Sequence, residues 1–129
     1  MFYTTHFANI KNLPKNVVPV SIAGKAPSGY KGLEYKKLAP KYHFFIKWKE
    51  NHDNEYYIRH FNEEVLSKLD PYDVIREIQD KFCDGNIILN MDQIEFAFVC
   101  YEKPSNFCHR HLVAEWLNNN GIECKEFRS

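Results

Sequence analysis

The sequence predicts an α/β protein: a compact three-layer Rossmann-like or flavodoxin-like fold with a mostly parallel sheet of about four to five short strands. Two observations predict this class. Residues 96–100 are almost all apolar, as is typical of a parallel strand that is covered on both faces. The segment 94–127 then has the order strand, helix, strand, which predicts a βαβ unit with a right-handed crossover. A chain of 129 residues fits one domain, residues 1–129, with its own core.

The first half of the chain is predicted to supply two strands and one helix. Phe2–Thr5 and Val17–Ile22 are short apolar and β-branched runs, which indicate strands. Residues 23–29 contain glycines and a proline, so they predict a loop. Over Tyr42–Glu50 the large apolar residues recur at helical spacing.

The second half is predicted to contain three helices and two strands. Tyr56–Leu69 has apolar residues at i, i+4 intervals, and the next helix starts with Asp70 as N-cap and Pro71 in its first turn, ending at 84–85. Ile94–Tyr101 is the clearest strand. A helix follows Pro104 and runs to Asn120, with Gly121 just past its end. Ile122–Phe127 is the last predicted strand.

Composition excludes several classes of protein. The 44% apolar and 26% charged fractions are those of a globular chain rather than a disordered one. No apolar run reaches the roughly 18 residues of a membrane span, and the N-terminus lacks the features of a signal peptide. The four cysteines, at 83, 100, 108 and 124, do not form a secreted disulfide framework. We therefore expect reduced thiols and a cytoplasmic protein with no membrane partner.

Charge is unevenly distributed although the net charge is zero. Residues 25–49 hold seven lysines and one glutamate, whereas residues 50–85 hold ten acids and four basic residues. One interpretation is that the two blocks pack together and neutralise each other. The other is that the basic block, with its aromatic side chains, binds nucleic acid.

The helix after Pro104 carries the residues most suited to chemistry. Cys108, His109 and Arg110 fall in its predicted first turn, just beyond the carboxyl end of the strand that finishes at Cys100. Helix N-termini at this edge of a parallel sheet favour anions, and an arginine adds a bidentate donor for phosphate or carboxylate. The same field lowers a thiol pKa, which favours a reactive Cys108.

The cysteines also allow a metal site, a disulfide or a cysteine-phosphatase loop to be considered. A zinc site from Cys100, Cys108 and His109 would have only three ligands, and C-x7-C-H is not a recognised structural-zinc spacing. The sequence therefore predicts no metal and no cofactor. A Cys100–Cys108 disulfide is compatible with the spacing and would act as a redox switch. The loop of the cysteine phosphatases is excluded, because Asn106 stands where an arginine would be expected.

Residues 99–115, VCYEKPSNFCHRHLVAE, resemble the signature of a widespread bacterial group, the domain of unknown function 488 family. The resemblance implies a compact α/β fold and a site at Cys100, Glu102, Cys108, His109 and Arg110, and it implies no particular activity. Relatives often end the second strand with an Asp-Val-Arg type sequence. This chain has Val20-Ser21-Ile22 followed by Gly24-Lys25, so Ser21 and Lys25 would replace the missing acid and arginine.

If the strands that end near Thr5, Ile22 and Cys100 are neighbours, their carboxyl ends form one cleft. Within it, Cys108 is the predicted nucleophile, with Glu102 or His109 as general acid or base. The predicted ligand-binding residues are Arg110, Lys25, Ser21, Gly24, Thr5, His6, Tyr101 and Cys100.

Three functions follow from this sequence. The first is binding, with or without turnover, of a small anionic ligand, a phosphorylated molecule such as a nucleotide or nucleotide-derived metabolite. The second is nucleic-acid binding through residues 25–49, with Tyr30, Tyr35, Phe44, Phe45 and Trp48 as stacking surfaces. The third is a non-catalytic interaction or inhibitor protein. The sequence leaves open whether the chain is an enzyme, and its oligomeric state.

Overall fold

A computed structural model of the chain describes residues 1–102 and 106–128. Over these residues it has five strands: β1 (Phe2–His6), β2 (Val17–Ser21), β3 (Leu33–Glu34), β4 (Glu95–Cys100) and β5 (Cys124–Glu126). Four α-helices accompany them: α1 (Tyr42–Asn51), α2 (Asn54–Glu64), α3 (Pro71–Cys83) and α4 (His109–Asn119). Short 3-10 turns lie at Phe7–Asn12, Lys36–Leu38, Leu66–Lys68 and Met91–Gln93.

The strands form one sheet in the order β3-β2-β4-β1-β5, and every pairing in it is parallel. This confirms the predicted α/β class and its parallel sheet. β4 lies between β1 and β2, with His6 paired to Cys100 and Ser21 paired to Val99. The carboxyl ends of the three strands predicted to form a cleft are therefore adjacent.

β4 is the buried centre of the molecule. Every residue from Phe96 to Cys100 is buried, as its continuous apolar run predicts for a strand covered on both faces. Because side chains alternate along a strand, Phe96, Phe98 and Cys100 share one face. On that face Phe82 of α3 packs edge-on against Phe96, and Arg110 of α4 contacts Cys100.

Helix boundaries follow local capping chemistry. The Asp70 side chain accepts hydrogen bonds from the backbone N–H groups of Tyr72 and Asp73, so the predicted N-cap of α3 is confirmed. α3 ends at Asp84, whose φ of 47° is left-handed, and Gly85 follows with φ of 79°. Gly121, with φ of 80°, terminates the α4 segment as predicted.

Two elements differ from the sequence-based prediction. The helix expected over Tyr56–Leu69 ends at Glu64 and tightens into the 3-10 turn Leu66–Lys68, a common ending for α-helices. β3 was not predicted, because a two-residue strand is too short to carry an alternating pattern.

The basic and acidic blocks meet across the surface between α3 and the 3-10 turn before α1. Lys37 forms an ion pair with Glu77 at 2.9 Å, and the Tyr35 hydroxyl donates to the same carboxylate at 2.6 Å. Tyr35 and Phe44, two of the aromatic residues considered for base stacking, are buried in the core. None of the helices in the described part of the chain has the length and apolarity needed to cross a membrane.

Candidate functional site

The strand order creates a crevice at the carboxyl ends of β2 and β4. The chain leaves β2 toward β3 at one edge of the sheet, whereas it leaves β4 through α4 toward β5 at the other edge. Adjacent parallel strands whose connections depart in opposite directions leave a gap between them, and ligands of open α/β sheets bind in such gaps. A pocket of about 630 Å³ occupies this position.

The pocket is lined by segments from both strand ends and by the α1–α2 helix pair. The strand ends provide Ala23, Gly24, Lys25, Cys100, Tyr101, Glu102, Phe107, Cys108 and His109. The helices and the turn before them provide Pro40, Tyr42, Phe45, Ile46, Trp48, Lys49 and Tyr57. The loop after β2 is held to the loop after β4, because the Tyr101 hydroxyl donates to the Lys25 carbonyl at 2.6 Å.

Seven of the eleven residues proposed from the sequence line this pocket: Gly24, Lys25, Cys100, Tyr101, Glu102, Cys108 and His109. The other four do not. Thr5 is buried and accepts a hydrogen bond from Asn9, and the buried Ser21 hydroxyl accepts from the Ala23 backbone N–H. His6 is half-buried at the end of β1. β2 ends at the crevice as predicted, but the Ser21 hydroxyl is engaged by the backbone of its own loop. β1 lies on the far side of β4 from the crevice, so Thr5 and His6 do not reach the pocket.

Arg110 is the fourth, and it is completely buried. Its Nε and Nη2 donate to the two Glu126 carboxylate oxygens at 3.1 and 3.0 Å. Its Nη1 donates to Cys100 Sγ at 3.1 Å and to the Glu102 carbonyl at 2.6 Å. Arg110 therefore joins β5, the end of β4 and α4, and its donors already serve groups of this chain.

Glu126 supplies the counter-charge for the buried Arg110 guanidinium. Its side chain is 12% exposed and also accepts a hydrogen bond from the Thr4 hydroxyl at 2.6 Å. Burial raises the pKa of Glu126, but the hydrogen bonds from Arg110 and Thr4 outweigh it and hold the pKa below its usual value. The carboxylate is thus charged near neutral pH. The sequence shows this partner only as an acid on the last strand, and no local pattern connects it to Arg110.

His109 has a defined tautomer. Burial lowers the pKa of His109 to about 4, so the ring is neutral at pH 7. Its Nε2 lies 2.7 Å from the Ile22 carbonyl oxygen, which can only accept, so the single ring proton is on Nε2. Nδ1 therefore has a free lone pair, and it lies 3.8 Å from Cys108 Sγ.

Cys108 is the N-cap of α4, with extended backbone angles of φ −156° and ψ 145°, and the helix begins at His109. The expectation that Cys108 lies inside the first turn is wrong by one residue. In the described structure the Cys108 sulfur is bonded to that of Cys100. The expectation that all four cysteines are reduced is thus wrong for this pair, and the alternative of a Cys100–Cys108 disulfide is the one that the structure contains. Cys83 and Cys124 are free.

Most of the pocket wall consists of residues that the sequence does not predict to be near the site. Trp48, Tyr57 and Phe107 form an aromatic cluster in which Phe107 lies 5.5 Å from Trp48 and 5.0 Å from Tyr57 between ring centroids. The helical spacing of Trp48 and Tyr57 only indicated a buried helix face, and Phe107 was given no role. No pattern in the chain indicates that α1 and α2 border the cleft. Pro104 lies outside the described residues, so its predicted place before α4 stays a prediction.

We expect Glu126→Gln to lower the free energy of unfolding by about 3 kcal/mol, because it leaves the buried Arg110 charge without a counter-charge. Urea denaturation monitored by circular dichroism measures the change. Glu123→Gln is the matched control on an exposed neighbour, for which we expect a change within about 0.5 kcal/mol. Equal effects of the two substitutions would contradict the structural role of the Arg110–Glu126 pair.

The His109 pKa predicts a loss of stability in mild acid. The folded-state pKa of about 4 lies below the ordinary value of 6.5, so the folded state binds fewer protons than the unfolded state between these values. The stabilisation is fully present above pH 6.5 and is lost as the pH falls toward 4. We expect the His109 contribution to fall by about 2 kcal/mol between pH 7 and pH 5.

The substitution His109→Gln isolates this effect, since its amide can still donate to the Ile22 carbonyl but does not titrate. Urea denaturation of both proteins at pH 7 and pH 5 should show a smaller loss in the variant, by about 2 kcal/mol. Parallel losses in the two proteins would show that His109 is not held neutral in the folded state.

Comparison with known proteins supplies one match. The family model described as "Active DUF488-N3 subclade" matches residues 9–121, which is well over half of the chain. No curated protein and no solved structure matches. The matched range contains α4, the Cys-His-Arg triplet and the full lining of the pocket. The chain therefore belongs to the domain of unknown function 488 family.

Proposed function

We propose that the pocket binds a phosphorylated small molecule of the nucleotide class and presents it to Cys108. The observation that carries the proposal is the composition of the pocket: an aromatic wall, two lysines and a cysteine–histidine pair border the same space. Its volume of about 630 Å³ falls within the range of small-molecule sites. Family membership supports a shared fold and leaves the ligand to be inferred from these residues.

The aromatic wall suits a planar ring. Trp48, Phe107 and Tyr57 present ring surfaces to the pocket, and burial of a heteroaromatic base against such surfaces is favourable. Burial also raises the pKa of the Tyr57 hydroxyl, so this residue stays neutral and adds no charge to the wall. The base is therefore assigned to the side of the pocket formed by α1 and α2.

The phosphate is assigned to Lys25, in the loop after β2, and to Lys49, on α1. Lys25 and Lys49 are exposed at the pocket edge, and Lys49 Nζ lies 5.3 Å from the Phe45 ring centroid. Arg110, which the sequence suggested as the anion ligand, is instead assigned a positioning role through its bonds to Cys100 and Glu102. Glu102 is half-buried in the lining, where its carboxylate can accept hydrogen bonds from sugar hydroxyls.

Cys108 is the proposed nucleophile in the reduced protein. The Cys100–Cys108 disulfide first takes two electrons and two protons from a dithiol reductant. The Cys108 thiol then transfers its proton to His109 Nδ1 while sulfur bonds to an electrophilic atom of the ligand, and the leaving group departs with that proton. Water subsequently cleaves the sulfur adduct. The matching family description, which names an active subclade, supports including turnover in the proposal.

Nucleotide binding is testable by thermal stabilisation, since a ligand that binds only the folded state raises the melting temperature. The panel contains nucleoside mono-, di- and triphosphates, the parent nucleosides and inorganic phosphate. We expect at least one nucleotide to raise the melting temperature more than its nucleoside or phosphate alone does. The shift should be lost in a Lys25→Ala, Lys49→Ala double variant.

Lys125→Ala is the control for this experiment, because Lys125 is an exposed lysine on β5, at the edge of the sheet away from β2. It should keep the full shift. If no nucleotide shifts the melting temperature, or if the shift survives loss of both pocket lysines, the proposed ligand class or the proposed phosphate position is wrong.

Cysteine reactivity is tested on the reduced protein with iodoacetamide, in which sulfur bonds to the methylene carbon and iodide leaves. We expect Cys108 to react at least about tenfold faster than Cys124 at pH 7, because burial raises the pKa of Cys124 to about 12 and suppresses its thiolate. Mass spectrometry of peptides locates the label. His109→Gln should slow Cys108 without changing Cys124, and an unchanged Cys108 rate would remove His109 from the proton-accepting role.

A further inference from the structure

Three metal-binding side chains meet on α1 and α2, outside the pocket. We call His43, His60 and Glu64 the His–Glu–His cluster. His60 and Glu64 lie one turn apart on α2, and His43 is in the first turn of α1. One carboxylate oxygen of Glu64 lies 2.7 Å from His43 Nε2, and the other lies 2.5 Å from His60 Nδ1.

We propose that the His–Glu–His cluster binds a divalent transition-metal ion, Zn²⁺ by its ligand chemistry. Two imidazole nitrogens and one carboxylate oxygen are the protein ligand set of many open zinc sites. The ligand atoms of the three residues already lie within 4.8 Å of one another. Zinc–ligand bonds of about 2.0–2.1 Å place tetrahedral ligand atoms about 3.3 Å apart, so side-chain shifts of about 1–2 Å complete the site.

Packing holds the two imidazoles in place. The His60 ring lies 5.9 Å from the Phe44 ring at an interplanar angle of 29°, and 4.2 Å from the Tyr56 ring. His43 packs edge-on against both Phe44 and His60, at 5.3 and 5.8 Å. Phe44 is fully buried, so each imidazole contacts one ring that is fixed in the core. Restricted rotamers reduce the entropy lost when the ion binds.

Access and charge also suit an ion. The side chains of His43, His60 and Glu64 are 56%, 22% and 30% exposed, which gives a path from solvent and space for a water ligand. Glu64 supplies a negative charge at the centre of the cluster. Two neighbouring cations, Lys47 and Arg59, lie over the Tyr56 ring at 5.5 and 6.0 Å, and within residues 1–102 and 106–128 neither forms an ion pair with Glu64.

The bound ion would cross-link the two helices that border the pocket. His43 belongs to α1 and the other two ligands belong to α2, so the ion would join the helices that carry Trp48 and Tyr57. None of its three ligands lines the pocket itself. Metal binding at this cluster is therefore independent of the proposed nucleotide site and can succeed or fail separately from it.

The test uses the full chain, stripped of metal with a chelator and kept oxidised so that the Cys100–Cys108 disulfide withholds both thiols. Zn²⁺ is titrated by calorimetry, and Co²⁺ replaces it to give an absorption spectrum that reports the ligand atoms. The variants are His43→Ala, His60→Ala and Glu64→Gln. The control is His52→Asn, at an exposed histidine that follows the last residue of α1. His52 has a left-handed φ of 53°, and asparagine adopts this conformation readily.

We expect one Zn²⁺ per chain and a tetrahedral Co²⁺ spectrum without a sulfur-to-metal band. Each ligand substitution should weaken binding by roughly tenfold or more, since even changes in the residues that orient ligands cost that much, and His52→Asn should leave it unchanged. His43→Ala removes an exposed side chain, so it tests the site without risk to the core. Absence of stoichiometric binding, binding unchanged in the three variants, or a sulfur-to-cobalt band would each overturn the proposal.

Discussion

The arrangement of the site depends on one buried ion pair. The Arg110 guanidinium is fully enclosed, and it reaches Glu126, Cys100 and the Glu102 backbone in a single planar fork. Burying an arginine costs free energy because its charge loses its hydration. The ion pair with Glu126, and the hydrogen bonds to Cys100 and the Glu102 backbone, offset that cost. In return the ion pair fixes where α4 begins relative to β4 and β5. The Cys108–His109 pair is placed by that same start of α4.

A second constraint acts through His109. Its Nε2 proton is donated to the Ile22 carbonyl, which belongs to the loop leaving β2, while its Nδ1 lies 3.8 Å from the sulfur of Cys108, the N-cap residue of α4. One imidazole thus connects the two strand ends that border the pocket.

Much of the fold could be predicted from the sequence, because its signals are local. The apolar run of β4, the Asp70-Pro71 start of α3 and the Gly121 ending each reflect the chemistry of a few adjacent residues. The position of the site, beyond the end of β4, followed from the general geometry of parallel sheets. Seven of the proposed residues line the pocket for that reason.

The features that the sequence does not predict depend on contacts between distant parts of the chain. Thr5 and Ser21 end the correct strands, but the face each side chain occupies is set by strand register. Arg110 was expected to serve an external anion, and its internal partner Glu126 lies 16 residues further on, on a strand that pairs with β1. The aromatic wall from α1 and α2 required knowledge of how those helices pack, which periodicity alone does not contain.

The two outer strands of the sheet are very short: β3 has two residues and β5 has three. The edge strands of an open sheet have unpaired backbone donors and acceptors. A long, flat edge strand can pair with strands of other chains and so cause aggregation. β3 and β5 themselves offer only two and three residues to a further strand. The most apolar strand of the sheet, β4, is paired on both sides, with β1 and β2, and so presents no free edge to a second copy of the chain.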